Sequence, residues 1–266
     1  MKAAKHKWNA EDYAKNSSAQ LGWAQELIAK LALSGNESVL DIGCGDGKIT
    51  AQIARTVSSG RVLGIDLSDS MIRFASSRHP STRNPNLSFR QMDAADIRLP
   101  ERFDIAFSNA TLHWVQDHVA VLRGVHGALN GGGKILFQMG GYGAVAEVLG
   151  AIREVMRQSR WSHYFEGFTS PYHFYGPAEY EKWLSECGFQ PKRVELIEKD
   201  MQHSGLDGLT DWLRTTWFPY TDCLPGEFRE AFLAAVVETY TLSFPIDTKG
   251  HSHVRMVRLE VEGIAR

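Results

Sequence analysis

The sequence predicts an α/β fold with a doubly wound, mostly parallel sheet and a helical lid insertion. Short apolar runs alternate with segments of helical period over residues 1–140, and this alternation is typical of βαβ units. A glycine-rich loop follows the first of these runs and precedes a helical segment. A chain of 266 residues with 43% hydrophobic content is also long enough to bury a full core.

The order of elements in the first 140 residues supports this fold class. A helical pattern over 19–33 comes first, and Ser68 and residue 118 mark the starts of later helices. The pattern gives five strands in βα order. The strand-like runs are 38–42, 61–66, 87–91, 103–108 and 134–139.

After residue 140 the chain is mostly helix-like and rich in aromatic residues. We therefore predict that the whole chain divides into three functional segments. We expect 1–140 to be a cofactor-binding core and 141–250 a helical lid and substrate region, interrupted by a core helix and strand near 177–199. Strand-like runs at 193–199 and near the C-terminus complete the sheet, so 251–266 is predicted as the final core strand. We expect most rings of an aromatic band to form the small core of the lid, and one or two to face the pocket. The band consists of Trp161, Tyr164, Phe165, Phe168, Tyr172, Phe174 and Tyr175.

Composition excludes several classes of partner. A formal net charge of −2 gives no positive field that would attract nucleic acid. No apolar run approaches the roughly 20 residues of a membrane span, and the polar N-terminal stretch does not read as a signal peptide. The three cysteines are scattered without metal-ligand spacing, so we expect a cytoplasmic protein with reduced thiols and no metal.

The loop after the first strand has glycines at 43, 45 and 47, which permit a close backbone approach to a ligand beside a helix start. The dinucleotide fingerprint G-x-G-x-x-G needs glycine at the position of Lys48, so a pyrophosphate ligand is disfavoured. The alternative interpretation is a ligand that carries a carboxylate and a ribose but no phosphate.

Polar residues stand at the ends of successive strands. Asp66 ends the second strand, where a carboxylate accepts hydrogen bonds from ribose hydroxyls, a device that NAD enzymes share. Asp41 precedes the glycine loop, Asp93 follows the third strand, and Asn109 ends the fourth. Because the carboxyl ends of parallel strands meet at one edge, these side chains are predicted to line a single crevice.

The segments VLDIGCGDG, GIDLS, QMDAADIRLP, FDIAFSNATLHWVQDH and LNGGGKILFQM resemble, in this order, the class I methyltransferases that use S-adenosylmethionine. The resemblance spans residues 37–140. SNATLHWVQDH, the QMGG segment and the segment from Phe244 and Pro245 to Arg258 are most similar to the trans-aconitate methyltransferase group. The resemblance implies a Rossmann-like sheet of seven strands with an antiparallel last strand, S-adenosylmethionine as cofactor and S-adenosylhomocysteine as product.

Carried over by position, the resemblance places the amino-acid part of the cofactor beside Asp41, Gly43 and Gly45. Asn109 and Ala110 would line the wall near the sulfonium. Two more residues are implied at the cofactor, one as a cover and one as a small packing residue of the loop: Tyr13 and Cys44.

The resemblance also implies residues for the nucleoside. Asp66 would hold the ribose, and Leu67 and Met71 would flank the adenine. Asp93 would accept from the adenine amino group, and the Ala94 amide would reach a ring nitrogen.

The predicted reaction is in-line displacement on a small molecule, with O-methylation of a carboxylic acid as the leading hypothesis. A carboxylate needs no base at neutral pH, whereas a phenol or amine does, and His113 is the nearest base by position. His113 and Trp114 are interpreted as substrate-orienting residues; the competing interpretation is packing, with His113 bonded to a backbone carbonyl. Cations that are candidates for pairing with a substrate carboxylate are Arg160, His163, His173 and Arg214.

Other functions remain open at this point. An NAD-dependent oxidoreductase is the rival enzyme, and a non-catalytic S-adenosylmethionine-binding protein is the rival outside catalysis. His251 and His253 form an HxH pair on an extended segment, without an evident third metal ligand. Asp117 is interpreted as a helix N-cap. The sequence predicts no particular oligomeric state.

Overall fold

A computed structural model describes residues 18–266 of the chain, with side chains from residue 22 onward. None of the described helices has both the length and the apolar content to cross a membrane. The strands are β1 Ser38–Ile42, β2 Arg61–Asp66, β3 Leu87–Gln91, β4 Phe103–Asn109, β5 Leu129–Gly140, β6 Phe189–Ser204 and β7 His251–Ala265. The helices are α1 Ser18–Leu31, α2 Lys48–Thr56, α3 Asp69–Arg78, α4 His118–Ala128, α5 Ala146–Arg157, α6 Pro177–Glu186, α7 Gly205–Thr216, α8 Phe218–Thr221 and α9 Gly226–Ser243.

The seven strands form one sheet in the order β3-β2-β1-β4-β5-β7-β6. Strands β1 to β5 pair in parallel, whereas β7 pairs with β5 in antiparallel fashion. The predicted α/β class, with its mostly parallel sheet and antiparallel last strand, is confirmed.

The direction of winding reverses between β1 and β4. From β1 the chain proceeds to β2 and β3 on one side, and then returns to place β4 on the other side of β1. A ligand crevice in a doubly wound sheet lies at this reversal, outside the carboxyl ends of the strands. The loops after β1 and β4 therefore carry the candidate site.

The described chain divides into two compact units. The first contains the described residues up to Tyr142, together with Tyr172–Ile197 and Arg258–Arg266. The second contains Gly143–Pro171 and Glu198–Val257. Most of the sheet and the candidate site belong to the first unit.

Apolar side chains fill both faces of the sheet in the first unit. On one face, Leu27 of α1 and Ile53 of α2 are buried with residues of β1 and β4. On the other, Leu122 of α4 and Tyr180 of α6 are buried with residues of β5 and β7. Burial of one such side chain contributes roughly 1.5–3 kcal/mol, so the two helix layers hold the strand ends in fixed positions.

The predicted βα order is wrong between β3 and β4. No helix forms in this described segment, which runs through residues 92–102. Asp93 Oδ1 accepts a hydrogen bond from the Ala95 amide at 2.9 Å, and such a local bond favours a turn over a helix. Pro100 also lacks the amide that a helix would use.

Strand β5 begins earlier than the sequence predicts. The glycines at 131–133 lie inside the strand, where the pairing register with β4 shifts between Phe103 and Ile105. This irregularity accommodates the glycine run, because a bulge inserts extra residues without ending the strand.

Candidate functional site

The loop between β1 and α2 depends on glycine for its backbone conformation. Gly43, Gly45 and Gly47 have φ values of 75°, 53° and 76°, in the left-handed region. A Cβ added to Gly43 would lie 2.0 Å from the Thr111 side chain, which leaves no room for any other residue. The Thr111 hydroxyl also donates to the Gly43 carbonyl at 3.1 Å, so the loop is bound to the segment after β4.

A buried carboxyl group lies beneath this loop. Asp41 is 2% exposed, and its Oδ2 accepts a hydrogen bond from the Thr50 hydroxyl at 2.7 Å. Burial raises the pKa of Asp41 to about 7, and the negative charge of Asp66 adds to this rise. Asp41 therefore titrates near neutral pH and connects β1 to the first turn of α2.

Asp66 connects the ends of β1 and β2. Its Oδ2 accepts from the Gly45 amide at 3.0 Å, and its Oδ1 accepts from the Ser68 amide at 2.8 Å. Burial raises the pKa of Asp66, while these two amides oppose the rise. Each oxygen retains a further lone pair, so the held carboxylate is able to accept from two ligand hydroxyls.

The residues that end β4 form the opposite wall. Ala110 has φ 57°, an uncommon conformation for a residue other than glycine, and its amide donates to the Gln138 carbonyl at 2.8 Å. Asn109 Oδ1 is buried and accepts no hydrogen bond from the described residues. A buried acceptor without a donor is unfavourable by about 1–3 kcal/mol, so a ligand donor at this position would be stabilising.

A third group of residues continues from Asp66 along the sheet edge. The Met92 amide donates to the Asp66 carbonyl at 3.0 Å, which brings the segment before Asp93 beside β2. Leu67 exposes 61% of its surface, whereas Met71 is buried. An exposed leucine beside a held carboxylate offers an apolar surface that a flat ring would cover.

His113 lies in a short 3₁₀ turn, Leu112–Trp114, after β4. Its Nδ1 accepts a hydrogen bond from the Gly140 amide at 3.3 Å, where the competing packing interpretation has a backbone carbonyl as partner. Burial lowers the pKa of His113 to about 3, with further lowering from the positive charges of Arg258 and His118. The imidazole is therefore neutral at physiological pH and is a poor base.

Comparison with known proteins decides the family. Residues 33–188 match the family model described as a methyltransferase domain, which is more than half of the chain. An uncharacterized methyltransferase of Schizosaccharomyces pombe is 31% identical over 202 residues, covering 72% of this chain and 74% of that protein. The chain belongs to the methyltransferase domain family.

Two further similarities extend this assignment. A trans-aconitate 2-methyltransferase of Rhodopseudomonas palustris is 29% identical over 97% of this chain and 98% of its own length. A Haemonchus contortus phosphoethanolamine N-methyltransferase, solved with S-adenosylhomocysteine, has a TM-score of 0.61 at 16% identity and covers 96% of this chain and 57% of its own. The predicted enzyme class, a methyltransferase dependent on S-adenosylmethionine, is confirmed.

The structure brings most of the predicted site residues of this methyltransferase to one edge of the sheet. Asp41, the glycine loop and Asp66 are linked by hydrogen bonds, and Thr111 links the loop to the β4 wall. Tyr13 lies outside the described residues. Cys44 is buried against Gly64, and burial raises the pKa of its thiol, so it packs as a neutral side chain.

The aromatic band is divided between the two units. Trp161 and Phe165 lie 5.6 Å and 5.3 Å from Phe232 in the core of the second unit, as predicted. Tyr172 belongs instead to the first unit, where its ring lies 4.5 Å from Trp114 and 6.2 Å from His113. The physical reason is that the chain returns to the sheet at residue 172.

One candidate cation, Arg214, and both histidines of the HxH pair have charged partners within the second unit. Arg214 contacts Glu230 and Asp211, so its charge is already neutralised. His253 contacts Asp200 at 2.8 Å through Nδ1 and a second carboxylate, Asp247, through Nε2. No cluster of three metal-ligating side chains occurs in the described part of the chain.

Sequence reasoning missed the polar residues that support the site. Thr111 and Gln138 act through contacts with residues that are distant in sequence, and Thr50 acts through Asp41, nine residues away on β1. Arg258 is buried at 3% exposure on β7, although arginine is rarely buried. The signal for Arg258 in the sequence is its position in a run that otherwise reads as a buried strand.

Proposed function

We propose that this methyltransferase transfers the methyl group of S-adenosylmethionine to a carboxylate oxygen of a small carboxylic acid. The observation that carries the proposal is the similarity to trans-aconitate 2-methyltransferase, which extends over 97% of the chain and so includes the segments outside the cofactor core. The products are a methyl ester and S-adenosylhomocysteine.

The chemistry makes modest demands on the protein. When bound, S-adenosylmethionine supplies a methyl group on a positively charged sulfur. The acceptor oxygen attacks the methyl carbon as the carbon–sulfur bond breaks, and the bonding electron pair goes to sulfur. A carboxylate is already ionised at neutral pH, and the neutral His113 suits an acceptor that needs no base. Orientation of two bound reactants contributes about 7–11 kcal/mol, which is the main task left to the side chains.

The residues present fit the cofactor that the family uses. The Asp66 carboxylate is held with free lone pairs for two ribose hydroxyls, and the left-handed glycines remove side chains from the crevice. Asn109 Oδ1 offers a buried acceptor to a donor such as the cofactor ammonium group. The residues proposed to line the cofactor are Asp41, Gly43, Cys44, Gly45, Asp66, Leu67, Met71, Asp93, Ala94, Asn109 and Ala110, with Tyr13 as cover.

The division of labour along the chain is part of the proposal. Residues 1–140 would bind the cofactor, 141–250 would supply the lid and substrate region around a core helix and strand near 177–199, and 251–266 would complete the sheet. His113 and Trp114 are proposed as the residues that orient the acceptor, because they follow the wall formed by Asn109.

The test is a methyl-transfer assay with isotopically labelled S-adenosylmethionine. The acceptors are three panels: dicarboxylic and tricarboxylic acids that include trans-aconitate, phenols, and amines. We expect label in the acid panel as a product that alkali hydrolyses, since methyl esters are base-labile. Label found only in phenols or amines would overturn the proposal. Binding of S-adenosylmethionine without transfer to any panel would favour the non-catalytic alternative.

A further inference from the structure

The hydrogen bond to His113 fixes which nitrogen carries its proton. The Gly140 amide donates to Nδ1 at 3.3 Å, and an amide has only a proton to offer, so Nδ1 is unprotonated. A neutral imidazole then carries its proton on Nε2. His113 therefore acts as a hydrogen-bond donor through Nε2, and its one basic nitrogen is occupied.

The environment of His113 holds this state. Rings of Tyr172 and Phe174 lie 6.2 Å and 6.0 Å from the imidazole and reduce its contact with water. On β7, Arg258 stands opposite Gly140 in the strand register, so its positive charge is close to the imidazole. A nearby cation opposes protonation of a histidine, and burial acts in the same direction.

Arg258 is itself fixed in place. Its Nε donates to Gln138 Oε1 at 3.3 Å, and its guanidinium lies 5.3 Å from the centre of the Trp23 ring. The Gln138 side-chain amide in turn donates to the buried Glu260 carboxylate at 3.4 Å. Glu260 also forms ion pairs with Lys30 and Arg193. These contacts fix the Arg258 guanidinium beside Gln138, two residues before Gly140 on β5.

We propose that His113 donates its Nε2 proton in a hydrogen bond to one oxygen of the acceptor carboxylate, and that Arg258, opposite Gly140 on β7, is a positioning residue for this donor. This inference rests on the proposed function. The bonded oxygen is the one that is not methylated, so its partner oxygen keeps a lone pair for attack on the methyl carbon. No proton is transferred, and the charge of the carboxylate is lost only when the ester forms.

Substitution of His113 separates its role as donor from its role in packing. His113→Phe keeps a ring without a donor, and His113→Gln keeps a neutral N–H donor without the ring. Loss of a hydrogen bond to a charged group weakens binding by about tenfold to a hundredfold. We expect His113→Phe to raise KM for the acid by about that factor with unchanged affinity for S-adenosylmethionine, and His113→Gln to restore most of the loss. His251→Gln changes a partly exposed histidine of the second unit and serves as the control. Equal KM values for His113→Phe and wild type would overturn the inference.

A second readout does not depend on any substrate. ¹⁵N NMR spectra of the full chain report the tautomer of His113 directly. Its ring-nitrogen resonances are assigned as those that are present in wild type and absent from His113→Phe. The groups that face or contact His113 are Arg258 on β7, His118 on α4, and Tyr172 and His173 before α6. We expect an Nε2–H tautomer that does not titrate between pH 5 and 9, and an upward shift of its titration in Arg258→Met but not in Arg258→Lys. A proton on Nδ1, or titration near neutral pH in wild type, would contradict the inference.

The two experiments distinguish failure of the inference from failure of the proposed function. If wild type methylates no carboxylic acid, the proposed function fails and the inference fails with it, whatever the tautomer. If wild type and His113→Phe methylate an acid with the same KM, only the inference fails.

Discussion

Single residues in the loop after β1 combine conformational and hydrogen-bonding requirements. Gly43 carries a positive φ value and also touches Thr111, while Asp66 accepts from two amides of different segments. Such positions tolerate few substitutions, because a new side chain meets both backbone strain and lack of space. The consequence is that the shape of the crevice depends on a few atoms.

Replacing Gly43 with alanine tests this dependence. The new Cβ would lie 2.0 Å from the Thr111 side chain at a φ of +75°. We expect a loss of unfolding free energy of about 1–3 kcal/mol from overpacking, together with weaker cofactor binding. Urea unfolding and cofactor titration measure both effects. Gly131→Ala is the control, since its Cβ would meet nothing within 4 Å; equal stability of the two variants would refute the packing argument.

At the scale of elements, helix starts position the residues that follow each strand. Ser68 and Asp117 act as N-caps of α3 and α4, with bonds of 3.4 Å from the Met71 amide and 2.9 Å from the Ala120 amide. The structure confirms both N-caps that the sequence predicts. The cap at Asp117 stands three residues after Trp114, so it also fixes where the 3₁₀ turn with His113 ends.

Asp117→Ala removes the cap of α4 without touching the core. We expect a loss of about 1 kcal/mol in unfolding free energy, because a helix amide loses its acceptor. Asp117→Ser keeps an acceptor oxygen and should retain most of that stability. Urea denaturation of both variants provides the measurement, and a serine variant as unstable as the alanine variant would argue against capping.

The elements also show how far sequence reasoning reaches. Strands β1 and β2 and their loops are predictable because apolar runs, glycines and Asp66 are local signals. The partner of His113 is not, since the Gly140 amide is 27 residues away and becomes available only when β5 lies beside β4. Arg258 reaches the same place through antiparallel pairing, which no local pattern specifies. The missing helix before β4 depends on a turn at Asp93 that competes with helical structure.

At the scale of the whole molecule, buried titratable groups make stability depend on pH. His118 is buried, with Nδ1 2.5 Å from the Tyr180 hydroxyl and Nε2 2.9 Å from the Leu112 carbonyl. Burial lowers the pKa of His118 to about 4. Asp41 acts in the opposite sense, because its raised pKa lets the folded state bind a proton that the unfolded state releases.

His118→Gln tests the histidine contribution. An unfolded histidine binds a proton below a pH of about 6.5, while folded His118 stays neutral to about pH 4, so stability falls as pH falls through this window. At pH 5 the loss from this group is about 2 kcal/mol, since one pKa unit corresponds to about 1.4 kcal/mol. Between pH 7 and pH 5, we expect the unfolding free energy of His118→Gln to decrease by about 2 kcal/mol less than that of wild type. Urea unfolding of both proteins at the two pH values measures this difference. An identical decrease would contradict burial of a neutral His118, and exposed His163→Gln should match wild type.

We propose that the glycine loop and Asp66 form the binding site for S-adenosylmethionine. Calorimetric titration of wild type, Asp66→Ala and Asp222→Asn with S-adenosylmethionine and S-adenosylhomocysteine tests this site, because Asp222 is an exposed acid paired with Arg229 in the second unit. We expect equal binding by wild type and Asp222→Asn, and binding weakened by roughly a hundredfold in Asp66→Ala, because the ligand loses hydrogen bonds to a charged group. Unchanged affinity in Asp66→Ala would contradict it.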